Sequence, residues 1–278
     1  MGKEIVLVLG GGGAKGLAHI GAIRALEENG FVIKEVVGTS IGALVGGVYC
    51  AGGLDAMEKK MVSMKRTDYL KLVDVTIGKE GWVKGEKIFG IMKSEVTKDQ
   101  DISSLSIPFT AVATDLITHE AVALSNGSLY EAIRASISIP DFFVPVYREG
   151  MKLVDGGLLS PLPLEFVINK HLPVVAVNLS GKPTRADSSQ DDGGKKVSII
   201  SKLHLPSLKI ASLDILTSSL ELMLMKICEQ SIQFNQPKQV VSIPWDSCQF
   251  HEFYKAKEQI ELGYHLTLDS LDNHITDN

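Results

Sequence analysis

Gly38-Thr39-Ser40-Ile41-Gly42 sets one serine between two glycines, directly after the apolar pair Val36-Val37 and before a run of small residues. A G-x-S-x-G pattern suits a sharp strand-to-helix turn on which a serine hydroxyl is held outward for nucleophilic attack. Glycines on either side keep its surroundings open. The hydroxyl would also sit at the N-terminus of the following helix, where the dipole favours developing negative charge. Alone the pattern is weak, because a chain with 26 glycines offers many loops in which a serine falls between two of them.

A second stretch, Gly10-Gly11-Gly12-Gly13-Ala14-Lys15-Gly16, follows a buried-strand run and admits three chemistries. Gly11-x-Gly13-x-x-Gly16 fits a dinucleotide fingerprint, but that fold wants an acid at the end of the second strand. Here that strand ends in Gly38, and Glu35 lies at its start. A Walker loop needs Gly-Lys-Ser/Thr, whereas Lys15 stands between Ala14 and Gly16. The third chemistry is an oxyanion hole, in which backbone N–H groups unhindered by side chains point at one spot near a helix N-terminus. It accounts for a serine turn on the adjoining strand, since neighbouring parallel strands bring both loops to one sheet edge.

The third stretch is Leu153-Val154-Asp155-Gly156-Gly157. It reads either as a carboxylate displayed in an open turn or as a plain Asp-Gly-Gly turn. Asp115 is a further acid at a strand end, for which a turn role is expected.

The elements that must position these groups follow from periodicity. Ile5–Leu9 is a continuous apolar run, expected of a strand buried on both faces. A helix with Leu17, Ile20, Ile23 and Leu26 on one face ends at Asn29-Gly30. A second strand covers Glu35–Val37. Two strands joined by a short connection cover 107–115 and 120–124. Ser128 and Glu131 form a capping box for a helix over 129–136 that Pro140 closes off. Leu158–Pro163 is expected to be extended, Leu172–Leu179 and Val240–Ile243 to be strands. Leu213, Leu216, Leu220, Met223 and Ile227 recur at helical spacing, for which core packing is expected and a dimer or membrane face is the rival.

Composition bounds the class. The 278 residues are 45% hydrophobic and 22% charged, ordinary for a globular protein with a sizeable core. A net charge of −5 gives no case for a nucleic-acid partner. Three widely spaced cysteines, Cys50, Cys228 and Cys248, suggest buried reduced thiols. The chain shows no signal-peptide pattern and no apolar stretch long enough for a membrane span, so a cytoplasmic location is expected, with peripheral contact at the inner face of the membrane left open. Between Lys59 and Lys98 there are ten Lys/Arg against five Asp/Glu. A solvated helix face is the plain reading of that segment; a lid or patch meeting anionic lipid is the sharper one.

Taken together, the three glycine-bearing stretches resemble the patatin-like phospholipase family, in its small bacterial branch. Gly11–Gly16 is similar to the family's oxyanion motif, Gly38–Gly42 to its nucleophile elbow and Asp155-Gly156-Gly157 to its D-G-G/A motif. Ala135–Pro140 resembles its serine-proline segment, and Phe253-x-x-Ala256 with Ile260-x-x-Gly263-Tyr264 its C-terminal helix. The resemblance implies an α/β three-layer sandwich with a mostly parallel central sheet. It implies one catalytic domain over 1–278. Within it, composition sets apart a region 54–100, with a lid or interfacial patch as its sharper reading, and a flexible loop about 181–194.

The resemblance also implies a serine acyl-ester hydrolase acting on lipids through a Ser–Asp dyad. Ser40 would be the nucleophile and Asp155 the proton acceptor. Gly11, Gly12 and Gly13 would form the oxyanion hole, with Lys15, Gly16, Gly38, Gly42, Gly156 and Gly157 completing the motifs. No metal or cofactor is implied. The partner is a lipid or acyl ester, and nothing is implied about oligomeric state. Asp141 and Ser160 depart from the family pattern, the first by an acid where small residues are usual, the second by a hydroxyl where an amide is usual. Two rivals stand beside this. One is a Ser-His-Asp hydrolase drawing on His171, His204, His251, His265 or His274; the other is a non-catalytic protein that keeps the fold.

Overall fold

A computed structural model describes residues 2–68, 86–140, 142–183 and 210–272. Eight strands form one sheet: β1 (Lys3–Leu9), β2 (Phe31–Thr39), β3 (Phe109–Asp115), β4 (Glu120–Leu124), β5 (Val146–Arg148), β6 (Met151–Asp155), β7 (Val174–Gly181) and β8 (Gln239–Pro244). Its order is β5-β6-β3-β2-β1-β7-β8, with β4 also paired to β3. The run β3-β2-β1-β7-β8 is parallel throughout; β4, β5 and β6 join antiparallel.

Alternating residues of the central strand feed two cores, which is why its sequence is apolar without a gap. Ile5, Leu7 and Leu9 pack with helices α1 (Ala18–Glu28), α2 (Ile41–Cys50) and α7 (Ala256–Asp272). Val6 and Val8 pack on the other face with Leu162, Leu164, Val167 and Cys228, the last from α6 (Ile210–Asn235). The fold is therefore α/β in three layers: helices, a mostly parallel sheet, and helix with loop.

β2 is longer than its apolar run suggests. Lys34 is an extra residue against β1, where the register steps from Ile5–Ile33 to Val6–Glu35, so Phe31–Ile33 also pair. Glu35 stays buried because its carboxylate accepts the N–H groups of Ile168 and Asn169 and the Asn169 amide. The β5–β6 hairpin adds a strand that periodicity had not marked. It turns through Glu149 and Gly150, both at positive φ (51° and 81°), as a two-residue hairpin requires. The expected helix ends hold at Ser128, as N-cap, and at Asn29-Gly30. Ser128 accepts the Glu131 N–H at the start of α5 (Leu129–Ser136), and α1 gives way at Asn29 to Gly30 at φ 78°.

Two expectations are corrected. The segment after Asp155 is not extended at its start, because Gly157 N–H bonds back to the Asp155 side chain and coils Gly156–Leu158 into a 3-10 turn. Core packing along the Leu213–Ile227 stripe gives way to exposure: Leu220, Leu222 and Met223 face solvent, and among the described side chains α6 packs on the sheet at Cys228 and Ile232. Side chains of Leu213 and Leu216 lie outside the described residues, as do 184–194 of the expected loop. In the basic segment, α3 (Leu54–Ser63) and α4 (Glu86–Ile91) bury Met57 and Phe89, and Lys60 pairs with Glu95; residues 69–85 lie outside the description. Among the described residues no helix is long and apolar enough to cross a membrane. All three cysteines are buried free thiols.

Candidate active site

β3 is the ruler on which the site is set. β4 occupies one of its edges along 111–115, so β2 (paired to 109–112) and β6 (paired to 113–115) must share the other. They run in opposite senses and meet end to end. Thr39, the last residue of β2, faces Val112; Asp155, the last of β6, faces Ala113. Adjacent rungs are about 3.3 Å apart, so the residue after Thr39 and the side chain of Asp155 converge.

The Ser40 hydroxyl donates to Oδ2 of Asp155 at 2.6 Å. The other carboxylate oxygen accepts the Gly157 N–H at 2.7 Å, and the Asp155 N–H donates to the Ser138 carbonyl. Both residues are nearly enclosed, Ser40 at 7% and Asp155 at 6% exposure. Burial pushes the Asp155 carboxyl up to about 6, against the lowering effect of its bonds to Ser40 and Gly157.

Ser40 holds φ 55° and ψ −123°, a conformation that costs a non-glycine residue about 1–3 kcal/mol. Its surroundings fix it there. The Ser40 N–H donates to the Ser136 hydroxyl at 2.9 Å, and that hydroxyl donates to the Val112 carbonyl at 2.6 Å, tying the elbow to β3 through α5. The glycines of the elbow are spatially required. A Cβ on Gly38 would strike the Gly42 carbonyl, one on Gly42 the Leu9 carbonyl, and one on Gly156 the Val112 carbonyl. We expect Ser136→Ala to lower stability by about 1–3 kcal/mol, since it leaves a buried donor and acceptor unpaired. A urea midpoint equal to wild type would show that the elbow does not lean on Ser136.

The glycine loop lies beside the elbow: a Cβ on Gly11 would stand 3.3 Å from that of Ser40. Its N–H groups do not act alike. Gly11 N–H donates to the Pro161 carbonyl at 2.8 Å, so the expectation that Gly11 contributes an oxyanion donor is corrected; its part is to leave room for Ser40. Among the described residues Gly12 and Gly13 N–H have no backbone acceptor. Lys15 turns away to the Trp245 carbonyl, 3.2 Å from Nζ, and desolvation lowers its pKa. Gly16 is demanded by the Ile41 side chain, which a Cβ would meet.

Residues beyond the motifs also support the site. Thr39 donates to the Ser160 carbonyl at 2.8 Å, while the Ser160 hydroxyl is buried with no partner among the described residues. His19 on the first turn of α1 bonds the Gly10 carbonyl, although it was not among the histidines the sequence suggested. Of those, His171, His251 and His265 are exposed; His204 and His274 lie outside the described residues, as does Asp141. Asp115 accepts from Ile117, Thr118 and Lys152 and shapes a turn. Exposed apolar side chains are Phe142, in the segment after Ser138, Leu158 and Leu159, in the turn after Asp155, and Phe250, which lies over Gly13.

The arrangement sets a serine hydroxyl against a carboxylate, beside a loop with two N–H groups that have no backbone acceptor among the described residues; these are the kinds of group that acyl transfer uses. A family model described as patatin-like phospholipase matches residues 7–168, from β1 past the Asp155 turn. An uncharacterized NTE family protein of Mycobacterium tuberculosis is 42% identical over 180 residues, 64% of this chain and 49% of that protein. The neuropathy target esterase sws of Drosophila melanogaster is 34% identical over 174 residues, 60% of this chain and 12% of that protein. The chain thus spans about half the length of the mycobacterial relative. Among solved structures, VipD from Legionella pneumophila shares the fold, with TM-score 0.51 and 15% identity over 98% of this chain and 67% of that one.

Proposed function

The chain belongs to the patatin-like phospholipase family, and from that premise we propose that it hydrolyses acyl esters of lipids, with Ser40 as nucleophile and Asp155 as general base. The observation that carries the reading is the 2.6 Å bond from the Ser40 hydroxyl to the Asp155 carboxylate, made on a strained elbow against the glycine loop.

Asp155 takes the Ser40 proton as Oγ attacks the ester carbonyl. The tetrahedral oxyanion is held by Gly12 and Gly13 N–H and by the N-terminus of α2. Collapse breaks the acyl C–O bond, and the leaving alkoxide recovers the proton from Asp155. Water then enters, gives a proton to the same carboxylate and attacks the acyl-enzyme; Ser40 leaves with that proton and the fatty acid is released. One residue acts as base and acid in turn, which suits a carboxyl raised to about 6. The exposed apolar rim at Phe142, Leu158, Leu159 and Phe250 supports lipid as the substrate class and contact with a lipid surface.

A fluorophosphonate probe should label the wild type at Ser40 and leave Ser40→Ala unlabelled. No labelling of a folded wild type would instead favour a protein that has kept the fold without the chemistry. The pH dependence has a definite sign. Only ionised Asp155 accepts the proton, so kcat/KM on a soluble ester should rise about tenfold per pH unit below about 6 and level off above. A flat profile between pH 4 and 8 would remove Asp155 as the base.

A further inference from the structure

The Gly10–Gly11 peptide unit is gripped at both ends. Its carbonyl, on Gly10, is 2.8 Å from Nε2 of His19; its N–H, on Gly11, is 2.8 Å from the Pro161 carbonyl. In a trans peptide these groups point in opposite directions. Fixing both therefore fixes the plane of the whole unit, and with it where the chain enters Gly12 and Gly13. The grip matters because a bond between two glycines lacks the side chains that ordinarily restrict φ and ψ. A flip of this unit would turn its dipole over beside Ser40, against which Gly11 lies.

We infer that His19 is a positioning residue for the oxyanion loop, holding the Gly10–Gly11 peptide in the one orientation that leaves Gly12 and Gly13 N–H directed at the reacting ester. The inference rests on the proposed function for what the loop does, though not for how it is held. The chemistry of the ring is defined by its contacts. A carbonyl can only accept, so Nε2 must carry a proton. Nδ1 is buried without a partner, and the residue is fully enclosed at 0% exposure. Burial pushes its pKa down to about 4, outweighing the Gly10 bond, which favours the charged ring, so at neutral pH the ring is uncharged and Nδ1 carries no proton. An enclosed neutral histidine with one ring nitrogen bonded and the other idle is equipped to hold a carbonyl. It does not relay a proton, and the Ser40 hydroxyl already has Asp155 as its acceptor.

Two amide substitutions separate positioning from packing. In Gln the side-chain nitrogen stands about where Nε2 of histidine does, whereas in Asn it falls near Nδ1, which touches no partner here. Both shrink the side chain and keep it polar. With a soluble ester, and Ser40→Ala as the blank, His19→Gln should retain kcat within about threefold. His19→Asn should lose about 10–100-fold in kcat with KM within about twofold, a fraction of the 10²–10³ lost when an oxyanion donor is removed outright. Hydrogen exchange of the amides of residues 11–13, read in the same proteins, should be faster in His19→Asn and like wild type in His19→Gln. Equal kcat in the two variants, or a loss in His19→Asn with unchanged exchange of the loop, would overturn the inference. If the wild type neither turns over esters nor labels at Ser40, the functional reading falls; the exchange comparison then still decides whether His19 holds the loop.

Discussion

Asp155→Asn is expected to lower kcat for ester hydrolysis by about 10²–10⁴-fold, the range lost with a general base, and at pH 8 to make the protein more stable than wild type. The two effects share one cause. Burial raises the carboxyl from 3.8 to about 6, a gap corresponding to about 3 kcal/mol. The sign follows from linkage. A carboxyl whose folded pKa exceeds its unfolded one supports the fold most at acid pH, where both states are protonated. That support fades as pH rises from about 4 through about 6, because the unfolded chain ionises first. At pH 8 the wild type therefore holds an ionised carboxylate in a place that disfavours it. Asn has no charge to bury, and its carbonyl oxygen can still accept the Gly157 N–H. Urea unfolding at pH 8 and pH 4 should show the variant ahead by up to about 3 kcal/mol at the first and level with wild type at the second. A variant that is inactive and less stable at pH 8 would mean that hydrogen bonding, not desolvation, governs the site.

Gly263→Ala is expected to destabilise the protein by about 3 kcal/mol, although Ala is the better helix former by about 1 kcal/mol. Gly263 lies in α7 and Gly21 in α1, where the two helices pack at their closest. A Cβ on Gly263 would strike the Ala18 carbonyl, and one on Gly21 the Ile260 carbonyl. The obstacle in each case is backbone, which no rotamer change relieves, so the helices must move apart. Gly90 in α4 gives the contrast: an added Cβ there meets nothing within 4 Å, so Gly90→Ala should be neutral or stabilising by up to about 1 kcal/mol. Thermal melts of the two variants check the difference in sign. Should Gly263→Ala melt at or above the wild-type temperature, α7 is free to shift and the close packing is not needed. Because Ala18 precedes His19, a displaced α1 should also disturb the glycine loop.

The site's parts were legible in the sequence because each is local. A strand end, two glycines and a reactive side chain fit within five residues, as at Gly38–Gly42 and Asp155–Gly157. What joins them is not local. That Thr39 and Asp155 face neighbouring rungs of β3 follows from pairings between segments more than forty residues apart, which no window along the chain contains. The same limit explains Gly11. Glycine content marked the loop, but only the arrival of Pro161 from beyond the Asp155 turn decides which N–H groups are taken. Ser136 stood in a recognised segment without a role, since its hydroxyl acts by bridging Ser40 to Val112 across α5 and β3. The stripe on α6 failed for another reason: helical spacing shows which side chains share a face and says nothing of whether anything covers it.

The end-to-end meeting of β2 and β6 also sets when activity can appear. Ser40 and Asp155 are 115 residues apart, and they meet only through β3, against which both β2 and β6 pair. A chain emerging from the ribosome carries the serine and the glycine-rich stretch long before Asp155, and before Ser136 and Pro161, which hold the elbow and the loop. Contacts of such separation are the slow ones to form. On the proposed mechanism an unfinished chain is therefore inert toward the esters around it, and hydrolysis begins with the closing of the sheet.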